Sequence, residues 1–151
     1  LPVVVDTRHR NEAFGSVIFK INAEHAAALC GEGAGRRPGA RATRRHARVL
    51  FERTGRPVFV TRGARWLVAF DGRDLTEVPG LRLEGPTDPV GAGDTVLAAV
   101  AACLAAGASA AEAALVANLA AAVTVRKLRQ TGTATPSEIL ALDASVRSRL
   151  G

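Results

Sequence analysis

The sequence has no methionine, no tyrosine and a single tryptophan, and aromatic residues make up only 4% of its 151 positions. A core with so few rings must be packed from small and branched aliphatic side chains, which suits the alanine that dominates the second half. Cysteine is scarce too. Cys30 and Cys103 form neither a metal-ligand spacing nor a disulfide framework, so a reducing, cytoplasmic setting is the expectation. Acidic residues are outnumbered, 14 against 20, and every basic residue except Lys20 and Lys127 is arginine. That imbalance reads as a composition bias more than as a surface built for nucleic acid. Leu1 stands where an initiator methionine would, and residues 1–5 read as a strand, not a secretion signal. The expectation is a processed piece or a fragment of a longer chain.

What is present points to one packed domain. At 48% hydrophobic and 23% charged the chain is globular, and its length lets it bury about two-thirds of its unfolded surface. The apolar stretch 96–125 raises the question of a membrane span. Gly107, Ala108 and Ser109 interrupt it, Glu112 and Asn118 sit inside it, and alanine supplies little transfer energy, so that reading fails.

Short apolar runs at 1–5, 17–21, 57–60 and 66–70 read as buried strands, and 77–83 as an extended segment. Asn22 caps a helix that runs to Leu29 and stops at Gly31. A glycine-rich loop, 31–39, leads to a helix over 40–54 with Arg41, Arg44, Arg45 and Arg48 outward and Ala47, Leu50 and Phe51 inward. Gly91 to Asp94 opens a helix reaching about Ala106. Ser109 and Glu112 make a capping box for another reaching about Leu128. Thr135 and Pro136 start a last helix, amphipathic through Ile139, Leu140, Leu142 and Val146. Strands alternating with helices imply an α/β layered domain with a mostly parallel sheet.

Most of the polar residues carry no chemistry by their spacing. His9, His25 and His46 are scattered and read as surface or interface residues, Cys30 and Cys103 as inert small hydrophobes, and Trp66 as packing on a strand. The alanine stripe lets two long helices approach each other and the sheet. Six arginines lie between Arg36 and Arg48, yet no aromatic interleaves them and no nucleic-acid module surrounds them, so a solvated helix face is the better reading.

The segment before the alanine-rich helix is different. Gly91 and Gly93 let the backbone bend sharply and approach a ligand closely. A helix that starts here aims unpaired N–H groups and a positive dipole end at one spot, which is an anion site. Asp94 in that spot has two readings. It is either an N-cap or a base beside a phosphate, taking a proton from an attacking hydroxyl late in the transfer. Spacing leaves both open.

The run Asp88-Pro89-Val90-Gly91-Ala92-Gly93-Asp94-Thr95 resembles the second signature of the ribokinase (PfkB) family of carbohydrate kinases, written D-T-x-G-A-G-D. The likeness continues through Ala117 to Ala121, Val125 to Leu128 and Thr131 to Pro136, and through Val3 to Arg10 and the Val60-Thr61-Arg62-Gly63 turn. Those stretches are similar in order and position to the heptose-phosphate kinase branch. The resemblance implies a ribokinase-like three-layer αβα fold, with residues 1–151 as the nucleotide-binding portion and the N-terminal half and lid absent. It implies transfer of the γ-phosphoryl group of ATP to a sugar hydroxyl, with heptose phosphate the best substrate guess.

By the same resemblance Asp94 would be the catalytic base, and the amides of Gly91, Ala92 and Gly93 would stabilise the transferring phosphoryl group. Thr61 and Gly63 would lie along the phosphates and ribose, and Asn118 near the adenine. Asp88 and the carbonyl of Val90 would hold a monovalent cation such as K+, and Asn22 would help organise Mg2+ through water. The sequence departs from the pattern at three places. Ile21 replaces a proline, Pro89 replaces a threonine, and the acidic residue after Asn22 is Glu24 where the pattern puts it at the position of His25. On a helix those two positions point about 100 degrees apart, so metal organisation differs here. No P-loop is present, and the spacing of Gly31, Gly33 and Gly35 is wrong for a dinucleotide loop.

The family's earlier half, with most sugar contacts, has no counterpart in these residues. The isolated chain is therefore expected to be catalytically feeble or inactive. Expected partners are ATP, a small sugar, and the missing half or a second copy in a homodimer, with neither nucleic acid nor membrane. The rival readings are a kinase of another sugar or nucleoside, and a non-catalytic nucleotide-binding or partner-binding relic.

Overall fold

Period-two alternation sorts the apolar strand residues onto two faces, and each face finds its own helices. The computed structural model describes residues 3–6, 14–33, 37–130 and 132–150. Expected features at residues 1–2, His9, residues 34–36 and Thr131 lie outside them. Five strands pair in sequence order: β1 (Val4–Val5), β2 (Ile18–Asn22), β3 (Val58–Thr61), β4 (Trp66–Phe70) and β5 (Leu75–Pro79). The pairs β1–β2 and β2–β3 are parallel, with Val4 beside Ile18 and Asn22 beside Thr61. The pairs β3–β4 and β4–β5 are antiparallel, so β4 alone runs against the other strands and the sheet is mostly parallel in direction.

On one face Phe19, Ile21, Val58, Val60, Val68 and Phe70 pack under α1 (Ala23–Leu29) and α2 (Ala40–Thr54). On the other, Ile18, Phe59, Leu67, Ala69 and Val78 pack under α3 (Ala92–Ala105) and α4 (Ala110–Thr124). The last helix, α5 (Pro136–Leu150), rests on α4. Alanines at 113, 114, 117 and 120 are all but fully buried, so α4 closes onto its neighbours without large side chains in between, while α3 buries Val96 and Val100. This is the layered α/β arrangement expected from the sequence. Among the described residues no helix is long and apolar enough to cross a membrane.

The caps explain where the helices begin. Asn22 Oδ1 accepts the His25 N–H at 2.8 Å, Ser109 and Glu112 form a reciprocal capping box, and Thr135 and Glu138 exchange backbone and side-chain bonds in the same way. The α2 bounds coincide with expectation, since Gly39 precedes the helix and Gly55, at φ +62°, ends it.

Four expectations need correcting. The extended segment lies at 75–79, because the Gly80 N–H turns to the Arg65 carbonyl at 2.7 Å and closes the strand there. Helix α4 ends at Thr124, not near Leu128. The Val125 carbonyl, which a longer helix would bond to the Arg129 N–H, takes the Asp88 N–H at 2.7 Å, while the Arg129 N–H goes to the Asp88 carboxylate at 3.3 Å. Leu140 on α5 faces solvent at 68% exposure, so the inward stripe runs through its neighbours only. His46 is fully buried instead of superficial, with Nε2 3.1 Å from Glu32 Oε1 but off the hydrogen-bond axis. That closeness of the imidazole, with Arg45 beside it, holds the Glu32 carboxyl below its ordinary range.

Candidate functional site

The parallel pairing of β2 with β3 sets Asn22 and Thr61 side by side at the carboxyl ends of both strands, where ligands of α/β sheets collect. The turn that follows, Arg62 to Arg65, carries Gly63 at φ +56°. It forms one wall of a cleft of about 480 Å3. The opposite walls are the loop between β5 and α3 and the inner side of α4. The walls are largely apolar (Trp66, Leu81, Leu83, Val96), with polar groups from Asn22, Thr61, Thr87 and Asn118, a lining that suits a flat base carrying a polar tail.

Of the residues expected at the site, Asn22, Thr61, Gly63, Ala92, Gly93 and Asn118 all line this cleft. They come from four separate stretches of sequence. Asn118 is partly committed to the architecture, since its Nδ2 donates to the Pro79 carbonyl at 3.0 Å and ties the end of β5 to α4. Trp66, expected as plain packing, does touch the core but also faces the cleft, under the Arg62 guanidinium at 4.3 Å from its ring centroid.

The start of α3 is built by a glycine. Gly91 is the N-cap, at φ +78°, a region that L side chains rarely adopt, and it supplies no side-chain cap. Its carbonyl accepts from both the N–H of Thr95, at 2.9 Å, and its hydroxyl, at 3.0 Å. The Ala92 N–H is turned onto the Pro89 carbonyl at 3.2 Å. The N–H groups of Gly91, Gly93 and Asp94 have no main-chain acceptor among the described residues. The donor set thus differs from expectation by one exchange: Asp94's own amide stands in for that of Ala92.

Asp94 lies in the first turn of α3, directly after the cleft-lining pair Ala92 and Gly93. The cap position belongs to Gly91, so the reading of Asp94 as an N-cap does not hold. Its side chain is exposed and makes no hydrogen bond or ion pair with the described residues.

Asp88 and Val90 sit just outside the cleft lining. Asp88 Oδ1 accepts the Val90 N–H at 3.0 Å and Oδ2 the Arg129 N–H, so the carboxylate locks the loop to the end of α4. One carboxylate beside main-chain carbonyls suits a hard monovalent cation in its chemistry. The fit to Mg2+ is poor. Asn22 Oδ1 already caps α1, and Glu24 is ion-paired with Arg37 at 3.1 Å. Among the described residues no group of three or more His, Cys, Asp or Glu comes together.

Reading the sequence missed Lys20. It is buried on the α3 side of β2 and ion-paired with Asp6, and its Nζ lies 3.1 Å from where a Cβ on Gly93 would stand. A side chain at the second glycine would thus press on the buried ammonium, which would have to shift slightly. A lone lysine inside the apolar run 17–21 was the available signal. Burial pushes both cysteine thiols up, with Glu112 adding to the effect at Cys103, which favours the protonated thiol.

Comparison with known proteins gives the family and the fold. The family model described as pfkB family carbohydrate kinase matches residues 12–139. The chain belongs to this family. Among solved structures, phosphofructokinase-2 from Escherichia coli in complex with potassium superposes with a TM-score of 0.82 at 19% identity, over 97% of this chain and 48% of that one. Ribokinase from Thermotoga maritima gives 0.79 at 21% identity, over 95% and 49%. Arabidopsis thaliana ribokinase complexed with ribose and ATP gives 0.80 at 22% identity, over 94% and 47%. The PfkB chain thus spans about half the length of the solved structures it matches, and its fold is ribokinase-like. No curated protein matches it.

Proposed function

We propose that this PfkB-family chain is the C-terminal, nucleotide-binding half of an ATP-dependent sugar kinase of the heptose-phosphate kinase branch, acting in the cytoplasm on a heptose phosphate. The observation that carries the reading is the Gly91 bend. It opens the helix at the cleft-lining pair Ala92 and Gly93, with Asp94, whose carboxylate is uncommitted, next in the chain and the N–H groups of Gly91, Gly93 and Asp94 without a main-chain acceptor among the described residues.

In this reading the base of ATP occupies the apolar part of the cleft near Asn118, and its ribose and phosphates run along Gly63 and Thr61 toward α3. Asp94 accepts the proton of the sugar hydroxyl as its oxygen bonds to the γ-phosphorus. The bond to the β–γ bridging oxygen breaks, and ADP leaves with that oxygen. The N–H groups of Gly91, Gly93 and Asp94, at the positive end of α3, face the charge on the moving phosphoryl oxygens. A monovalent cation at Asp88 and the Val90 carbonyl would supply positive charge beside the loop when bound. Mg2+ would arrive with the nucleotide and be held by phosphate oxygens and water.

Titration of the chain with ATP tests the reading. The chain binds ATP, and Asp94→Asn keeps that affinity while lowering any residual transfer by about 10²- to 10⁴-fold, the range for a lost general base. Absence of ATP binding, or transfer unaffected by the substitution, would contradict it. A non-catalytic nucleotide-binding relic is the second reading, favoured by the ion pair that ties up Glu24. ATP binding with no transfer, even when the complementary half of the kinase is supplied, would select it.

A further inference from the structure

The segment from Asp88 to Thr95 carries the glycine bend, and two consecutive residues at the end of α4 hold it at both ends. At one end the Val125 carbonyl accepts the Asp88 N–H at 2.7 Å. At the other, the hydroxyl of Thr124, a residue only 1% exposed, lies 3.1 Å from that of Thr95. Each hydroxyl carries a single hydrogen, and that of Thr95 goes to the Gly91 carbonyl at 3.0 Å. Thr124 is therefore the donor to Thr95, and the chain of bonds runs from its buried hydroxyl through Thr95 to Gly91.

A threonine bonded to the carbonyl four residues back is common on helices and alone says little. Here the acceptor is the residue that makes the bend. The Gly91 carbonyl and the Ala92 N–H belong to one peptide plane. Thr95 holds the oxygen side of that plane, and the Pro89 carbonyl holds its N–H side at 3.2 Å. With the plane fixed, the N–H groups of Gly91 and Gly93 on either side of it are directed without bonds of their own. A side-chain cap would fix the first turn by consuming such donors, and Gly91 supplies none. The turn is instead secured from its carbonyl side, which leaves the donors open.

We infer that Thr124 is a positioning residue for phosphoryl transfer: through Thr95 it holds the Gly91 carbonyl and keeps the open donors of the bend aimed at the terminal phosphate. Closed off from solvent, it acts through Thr95 and not on the nucleotide. This role rests on the nucleotide reading of the cleft, whereas the chain of hydroxyls rests on the fold alone.

Thr124→Val removes the hydroxyl and keeps the shape, and Thr124→Ser keeps the hydroxyl. Heteronuclear NMR of the 151-residue chain without nucleotide follows the amides of Gly91, Gly93 and Asp94, and calorimetry follows ATP and ADP separately. In Thr124→Val the three amide resonances move while those of α2 stay in place. ATP affinity falls about three- to tenfold, the range of one net hydrogen bond, and ADP affinity changes by less than about twofold. Only ATP carries the phosphate that meets the bend, so a merely structural role would weaken both nucleotides alike. Thr124→Ser restores both readouts, and in a Thr95→Val background Thr124→Val adds nothing further. Unmoved amides, equal losses for ATP and ADP, no rescue by serine, or additive effects of the two valine substitutions would each overturn the inference. If the parent binds neither nucleotide while its amides still answer to Thr124→Val, the nucleotide reading fails, the role in transfer falls with it, and the hold on the bend stands. If the parent binds ATP and Thr124→Val binds it equally well, the role of Thr124 fails and the nucleotide reading stands.

Discussion

Gly91 and Lys20 show how single residues build the start of α3. At φ +78° a Cβ on Gly91 is strained by about 1–2 kcal/mol, and relief would open the bend that exposes the neighbouring amides. Gly91→Ala should therefore weaken ATP binding while thermal unfolding shifts by only a few degrees; undiminished binding would show that the bend is not needed. Lys20 is a different case. Its buried ammonium is paired with Asp6, and removing one partner of such a pair leaves an uncompensated charge worth about 3–5 kcal/mol. Asp6→Ala should lower the midpoint of chemical denaturation accordingly, and adding Lys20→Met should recover most of the loss. Asn22 as a cap was readable, because a short polar residue between a strand and an alanine run has few other uses. Asp94 was not resolvable from spacing, since an acid in a first turn serves as cap or as base equally well. Lys20 was hidden because its partner lies 14 residues away in sequence.

At the scale of elements, bounds fixed by local residues were legible and bounds fixed by distant backbone were not. The run 40–54 lies between two glycines and became α2 at those limits. The ends of β5 and α4 depend on Arg65 and Asp88, which reach them across long loops through main-chain bonds that no propensity records. Gly80→Ala should displace the Arg62–Arg65 turn, because the backbone of Ala64 leaves no space for a Cβ. The check is a simultaneous loss of ATP affinity and change in Trp66 emission. The junction of α4 and α5 titrates. Lys127 at 2.8 Å, then the N–H and hydroxyl of Thr135, pull the Glu138 carboxyl from an ordinary 4.5 to about 2. Because the folded value is depressed, its contribution is complete above about pH 4.5 and is lost as pH falls toward about 2. Amide exchange in α5 should accelerate before that of α3 over this window, and Glu138→Gln should abolish the difference.

At the scale of the whole molecule, a cleft walled by several stretches of sequence goes with a length about half that of the solved structures it matches. Its α/β class was legible because the strands are short, apolar and separated by helices, and the antiparallel reversal at β4 follows from the tight turn before Trp66. The cleft itself is assembled from stretches that sequence order keeps apart, so the place of Trp66 on its wall emerged only with the fold. With about half the length of the structures it resembles, the isolated chain should convert ATP to ADP with heptose phosphate only feebly. Ordinary kinase turnover by the chain alone would refute that expectation.

The central claim is that a glycine bend brings an acid and free main-chain donors to one terminal phosphate. A crystal structure of the chain with a non-hydrolysable ATP analogue tests it most directly. The terminal phosphate oxygens should lie about 3 Å from the Gly91 and Gly93 nitrogens, with the Asp94 carboxylate beside them. A terminal phosphate bound away from the start of α3, or an Asp94 side chain turned away from it, would contradict the account.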